Sequence, residues 1–223
     1  MRTGCHDNRE DRIQVCSGHV NDTRGPPVKA IVPEELIPHE EYERQREAFR
    51  AKIIVLKQRR RLSIGPFITM VFENRETVQF QIQEMIRVER IVDPVKVQDE
   101  LDVYNTLLPQ PNELSATLLI EITDEGAIEE RLDQFMGLDH GKKVAIVADG
   151  EEVFGEFEGG HSHETKISAV HFVRFRPTAS IKKAVADLTR PITIRVSHGG
   201  YHEEVPVPGS MREEWLADLK DSG

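Results

Sequence analysis

A chain of 223 residues, 38% hydrophobic and 30% charged, is long enough to bury a full core without disulfides or metal, and its apolar runs exclude wholesale disorder. Its net charge of -10 argues against general nucleic-acid binding, because an acidic body repels a phosphate backbone at long range. No apolar run approaches the roughly 20 residues of a membrane span and the N-terminus has no apolar signal region, so the expectation is a cytoplasmic protein without membrane insertion.

Residues 1–30 read as a flexible extension. They carry five bases, four acids and both cysteines, Cys5 and Cys16, and they end in "GPP". Cys5, His6, Cys16 and His19 are zinc donors by type, but their spacing matches no common finger and no hydrophobic pattern surrounds them. The cysteine-free remainder fits a reducing compartment.

Residues 31–223 read as a single α+β domain. A helix is expected over His39 to Arg61, with Tyr42, Phe49, Ile53 and Leu56 on one face. Acids open it and bases close it, which complements the helix dipole. The basic triplet Arg59, Arg60 and Arg61 is then either a solvated helix end or a contact for an acidic partner. "SIGPFITMVF" predicts one strand, Ser63 to Phe72, with Gly65 and Pro66 marking an edge or a bulge. Asn74 caps a second helix, Arg75 to Ile91, whose buried stripe is Val78, Ile82, Met85 and Ile86. Glu84, Arg87, Glu89 and Arg90 face away from that stripe, and Glu84 can pair with Arg87. This polar face is a candidate protein contact. An enzyme would instead use Glu84 or Glu89 as a base, although ordinary amphipathic helices carry the same residues. Pro94 opens a third helix with Val97, Leu101, Tyr104 and Leu108 inward.

The second half turns to strands. Ser115 to Ile122 is a near-continuous apolar strand, followed by a short amphipathic helix that ends at Gly137. Asp149-Gly150 is a favoured hairpin turn, setting Val147 opposite Glu152 and Ile146 opposite Val153. "KISAVHFVRFRP" is a further strand, and Thr178 caps a helix after it. A second hairpin turns at Gly199-Gly200, placing His198 opposite Tyr201 and Ser197 opposite His202. Trp215, Leu216 and Leu219 dock a terminal helix. N-terminal helices followed by hairpins indicate an α+β fold with a mainly antiparallel sheet and a C-terminal helix.

No phosphate-binding glycine loop, "HExxH" or nucleophile elbow occurs. Both thiols lie in the extension, so Cys–His catalysis is not expected. "GGHSHE" is the one metal-like stretch. On an extended segment His161 and His163 point to one side, and with Glu164 they begin a metal site. A third donor must come from elsewhere. His198 and His202 leave opposite faces of their hairpin, and His171, between Val170 and Phe172, has the setting of a packed histidine. A solvated, pH-sensitive loop is the simpler reading. No cofactor follows from these residues.

Four blocks carry a family resemblance: "YERQREAFRAKIIVLKQRRRLSIGP", "FENRETVQFQIQEMIRVERI", "ELDVYNTLLPQPNELSATLLIEI" and "KISAVHFVRF". In order and spacing they resemble the uncharacterised bacterial family known as domain of unknown function 3501, from about Leu36 to Leu219. The resemblance carries over no catalytic residue. Genes of this family often lie beside those for rubrerythrin-like proteins and iron–sulfur oxidoreductases, which implies a cytoplasmic accessory role in redox metabolism. The extension and the "HSH" loop depart from the family pattern. Two function classes stand open: a non-catalytic accessory protein that docks on such a redox enzyme, and a small metal-dependent enzyme with a histidine-containing site. A nucleic-acid module would rest on Arg59 to Arg61 alone.

Overall fold

The structure is a computed structural model and describes residues 29–158 and 167–220. Ile31 opens the packed part. Its backbone N–H donates to Asn105 and its carbonyl accepts from the Asn105 amide, at 2.8 and 2.9 Å. Helix α1 (His39–Arg60) passes directly into strand β1 (Arg61–Ile64), which turns back as β2 (Ile68–Glu73). The single strand expected over 63–72 is therefore a hairpin. Gly65 adopts φ +69° in its turn, with Pro66 next, and a Cβ at Gly65 would lie 2.5 Å from the Tyr201 hydroxyl.

Helix α2 (Arg75–Val88) begins where expected, with Asn74 accepting from the Thr77 N–H, and α3 (Pro94–Asn105) follows with Asp93 as its cap. Then come β3 (Leu114–Ile120), α4 (Ile128–Asp133), β4 (Val144–Ala148), β5 (Glu151–Phe154), β6 (Glu156–Phe157) and β7 (Val170–Phe175). The chain closes with α5 (Ala179–Ala186), β8 (Ile192–His198), β9 (Tyr201–Pro206) and α6 (Gly209–Lys220).

The fold is α+β, and its strand pairings are antiparallel, but they form two sheets rather than one. One has the order β1-β2-β3-β7-β6 and the other β5-β4-β8-β9. The chain changes sheet between β5 and β6, at Gly155. A Cβ there would meet Val173 Cγ1 at 2.4 Å, so only glycine fits the crossing. Met70, Phe72, Leu118, Val173 and Phe175 of the first sheet share a core with Ile146, Ile194 and Val196 of the second. Helix α6 joins that core through Trp215, whose ring is 4.6 Å from Phe72.

Strand β2 is buried on both faces, because its other side lies under the helices. There Val78, Ile82, Leu101 and Leu108 form a second apolar cluster with Ile31. Glu73 is buried on this side without a cation. Its carboxylate accepts from Thr77 at 2.5 Å, Thr117 at 2.8 Å and Gln81 at 3.1 Å, which satisfies it with neutral donors. Among the described residues no helix is long and apolar enough to cross a membrane.

Candidate functional site: a cleft at the end of helix α2

Within the basic triplet at the end of α1 Arg60 is turned inward, while Arg59 and Arg61 are exposed. Arg60 is 1% exposed, donating to both Asp218 oxygens at 2.8 and 2.9 Å and to Glu214 at 2.9 Å. Arg59 pairs with Glu213 and Glu214, and Arg61 with Glu121. All three arginines are thus engaged within the chain. Arg60 pins α1 to α6 and is closed to any partner in the folded state.

The polar face of α2 is a different case. Glu84 lies where α1 crosses α2. It accepts two hydrogen bonds from Arg46, at 2.8 and 2.7 Å, and one from the Tyr42 hydroxyl at 2.7 Å. Arg87 approaches it at 3.4 Å, the pairing expected from their spacing, and reaches Glu43 at 3.6 Å. The Arg46 hydrogen bonds, with help from Tyr42 and the Arg46 and Arg87 charges, hold the Glu84 carboxyl down at about 2 against its partial burial. Burial, and then Glu84 itself, push the Tyr42 phenol upward. A carboxylate so depressed and so fully engaged is a poor general base near neutral pH.

One turn beyond Glu84, helix α2 ends in a Schellman motif. The Ile91 N–H bonds to the Ile86 carbonyl at 2.9 Å, and the Arg90 N–H to the Arg87 carbonyl at 3.3 Å. The residue after the cap must then be left-handed. That position is usually glycine, but here it is Arg90, at φ 52°. Glu89 is the C-cap itself and is exposed.

This ending forms one wall of a cleft of about 540 Å³. His39 and Glu43 of α1 line one side, and Arg87, Val88, Arg90 and Val92 the other. Val88 and Val92 are 60% and 86% exposed, so two apolar side chains flank the Arg90 backbone in water. Among the described residues Arg50, Arg90 and Arg131 are the arginines whose guanidinium makes no hydrogen bond or ion pair. Of the partner-binding candidates, Arg87 and Arg90 line this cleft, and Glu84 adjoins it through its pairing with Arg87. Glu89 is outside the lining, and Arg59, Arg60 and Arg61 lie elsewhere. Sequence reasoning missed His39, Glu43 and the two valines. Val88 and Val92 stand outside the buried stripe of α2, and that is the signal that could have marked them.

The metal candidates His161, His163 and Glu164 lie outside the described residues, as do Cys5, His6, Cys16 and His19. Among the described residues no group of three or more His, Cys, Asp or Glu is placed to hold a metal. His171 is buried in the core, 2.7 Å from the Ser168 carbonyl and edge-on to Phe157. His202 bonds to Ser197 on one face of its hairpin, while His198 pairs with Tyr201 on the other, where burial lowers its pKa.

The sequence matches the family model described as "Protein of unknown function (DUF3501)" over residues 30–219. It is similar to a novel protein of unknown function from Burkholderia pseudomallei K96243, known from a crystal structure. The two share 29% identity with a TM-score of 0.78, over 86% of this chain and 100% of that one. No curated protein matches the sequence.

Proposed function

The chain belongs to the DUF3501 family, and on that premise we propose that it is a non-catalytic accessory protein that docks on a redox enzyme through the cleft at the end of α2. The observation that carries this reading is Arg90. A side chain held left-handed costs about 1 kcal/mol relative to glycine, which the attraction of a cation to the helix C-terminus offsets by about 0.3–1 kcal/mol, so the arginine brings little net stability. Its guanidinium is without a counter-ion among the described residues, and the exposed Val88 and Val92 line the same cleft. The occupant that fits is a partner segment carrying a carboxylate beside an apolar side chain. The carboxylate would meet Arg90, and the apolar group would cover Val88 and Val92. Arg87 is committed to Glu84 and Glu43, so it shapes the wall rather than offering a free charge.

The redox side of the proposal rests on the resemblance, which points to a rubrerythrin-like protein or an iron–sulfur oxidoreductase. It is tested by purifying the tagged chain from its native host and assaying the co-purified protein for iron. The expected result is an iron-bearing protein in near-stoichiometric amount. Recovery of the chain alone, or with iron-free partners only, would count decisively against the redox assignment.

A further inference from the structure

Arg131 stands in a second cavity, remote in sequence from the cleft. This cavity measures about 480 Å³ and is lined by Phe67, Arg131, Gln134, Phe135, Gly200 and Tyr201. Three of those residues form an aromatic group. Phe135 meets Tyr201 edge-on at 5.2 Å, and Phe67 lies 6.3 Å from each of them. The Tyr201 hydroxyl is occupied, since it donates to the Ile64 carbonyl and accepts from the Phe67 N–H at 3.5 Å. Tyr201 therefore offers its ring to the cavity and keeps its polar end in the β1–β2 turn.

The guanidinium carbon of Arg131 sits 5.3 Å from the centre of the Phe67 ring, a cation–π distance. That contact holds the planar group against an apolar wall, and its donors make no hydrogen bond or ion pair among the described residues. Gln134 is exposed beside it. Gly200 also lines the cavity, and a Cβ on it would meet nothing within 4 Å, so the turn leaves open space there. Apolar ring walls, one uncompensated cation and one amide are the lining of a small-molecule site, and the volume falls in the usual range of roughly 300–1,000 Å³.

We propose that this cavity binds a planar aromatic anion, an aromatic ring bearing one carboxylate. The ring packs against Phe67 and Tyr201, and the carboxylate takes the free Arg131 donors in a charge-assisted pair.

The test is calorimetric titration of the full chain with 2-naphthoate, beside cyclohexanecarboxylate and 2-naphthalenemethanol. Saturable naphthoate binding is expected, with each counter-probe at least about tenfold weaker, since one lacks the ring and the other the charge. Arg131→Gln, an exposed change, should weaken naphthoate at least about tenfold. Gly200→Leu should place a side chain in the space beside the cavity wall and weaken binding at least about tenfold, while leaving thermal unfolding close to the native midpoint. An Arg90 variant should bind naphthoate like the native chain, which separates this site from the docking cleft. No saturation at millimolar naphthoate would overturn the proposal. So would equal binding of the three probes, or affinity unchanged in both Arg131→Gln and Gly200→Leu.

Discussion

Glu84, at the crossing of α1 and α2 beside the cleft, is tightly constrained, with Arg46, Tyr42 and Arg87 converging on its two oxygens. Its folded-state pKa of about 2 lies below the ordinary 4.5. The stability it contributes is therefore fully present above about pH 4.5 and is lost as the pH falls toward 2. Glu84→Gln should cost about 1–3 kcal/mol at neutral pH, since it exchanges charge-assisted hydrogen bonds for neutral ones. Its unfolding free energy should also change less than the native protein's between pH 4.5 and 2. Urea unfolding across that range checks this, and parallel curves for the two proteins would refute it. Arg90 makes the opposite case. Arg90→Gly should leave the fold intact and hold or raise stability by up to about 1 kcal/mol, because glycine relieves the left-handed backbone. A marked drop in the unfolding midpoint would mean that Arg90 is kept for structure.

Element by element, the clearest device is the pin between α1 and α6. Arg60→Ala leaves Asp218 and Glu214 facing each other without their buried cation, a loss of about 3–5 kcal/mol. Arg59→Ala removes exposed pairs and should cost no more than about 1 kcal/mol. Thermal unfolding of the two variants separates a buried clamp from a solvated helix end. Gly155→Ala should destabilise the sheet crossing by about 1–3 kcal/mol, because the new methyl overlaps Val173 and the core must give way. A neutral result would show that the crossing is looser than its geometry implies. Much at this scale was legible beforehand. Asp149-Gly150 and Gly199-Gly200 set both hairpin registers, and Val147 does face Glu152 as His198 faces Tyr201. Asn74 and Asp93 cap their helices. The hairpin inside "SIGPFITMVF" was hidden because its apolar run continues across the turn, while the left-handed backbone of Gly65 and its contacts with Tyr201 and Glu203 show why that residue is glycine. Division of the strands into two sheets depends on Gly155, which in sequence looks like any loop glycine.

For the whole molecule, an acidic body spends most of its arginines on internal pairs and leaves Arg90 and Arg131 at two cavities. Helix periodicity placed Glu84, Arg87 and Arg90 on one polar face, and the Glu84–Arg87 pair followed from spacing. The partners from α1 did not, because Tyr42, Arg46 and Glu43 meet α2 only through tertiary packing. The aromatic cavity joins residues 67, 131 and 201, a separation that no local pattern exposes. Within the basic triplet Arg60 is buried while Arg59 and Arg61 stay exposed, a division that spacing does not reveal. A run of three arginines looks solvated until the opposing Asp218 and Glu214 are known.

The central claim is that Arg90 is retained for docking and not for folding. The decisive measurement is the affinity of the proposed iron-bearing partner, once purified, for the native chain and for Arg90→Gly, with the stability of both determined on the same samples. The account predicts at least about tenfold weaker binding by a variant that is as stable as the native protein or more so. Undiminished affinity in that variant would contradict it.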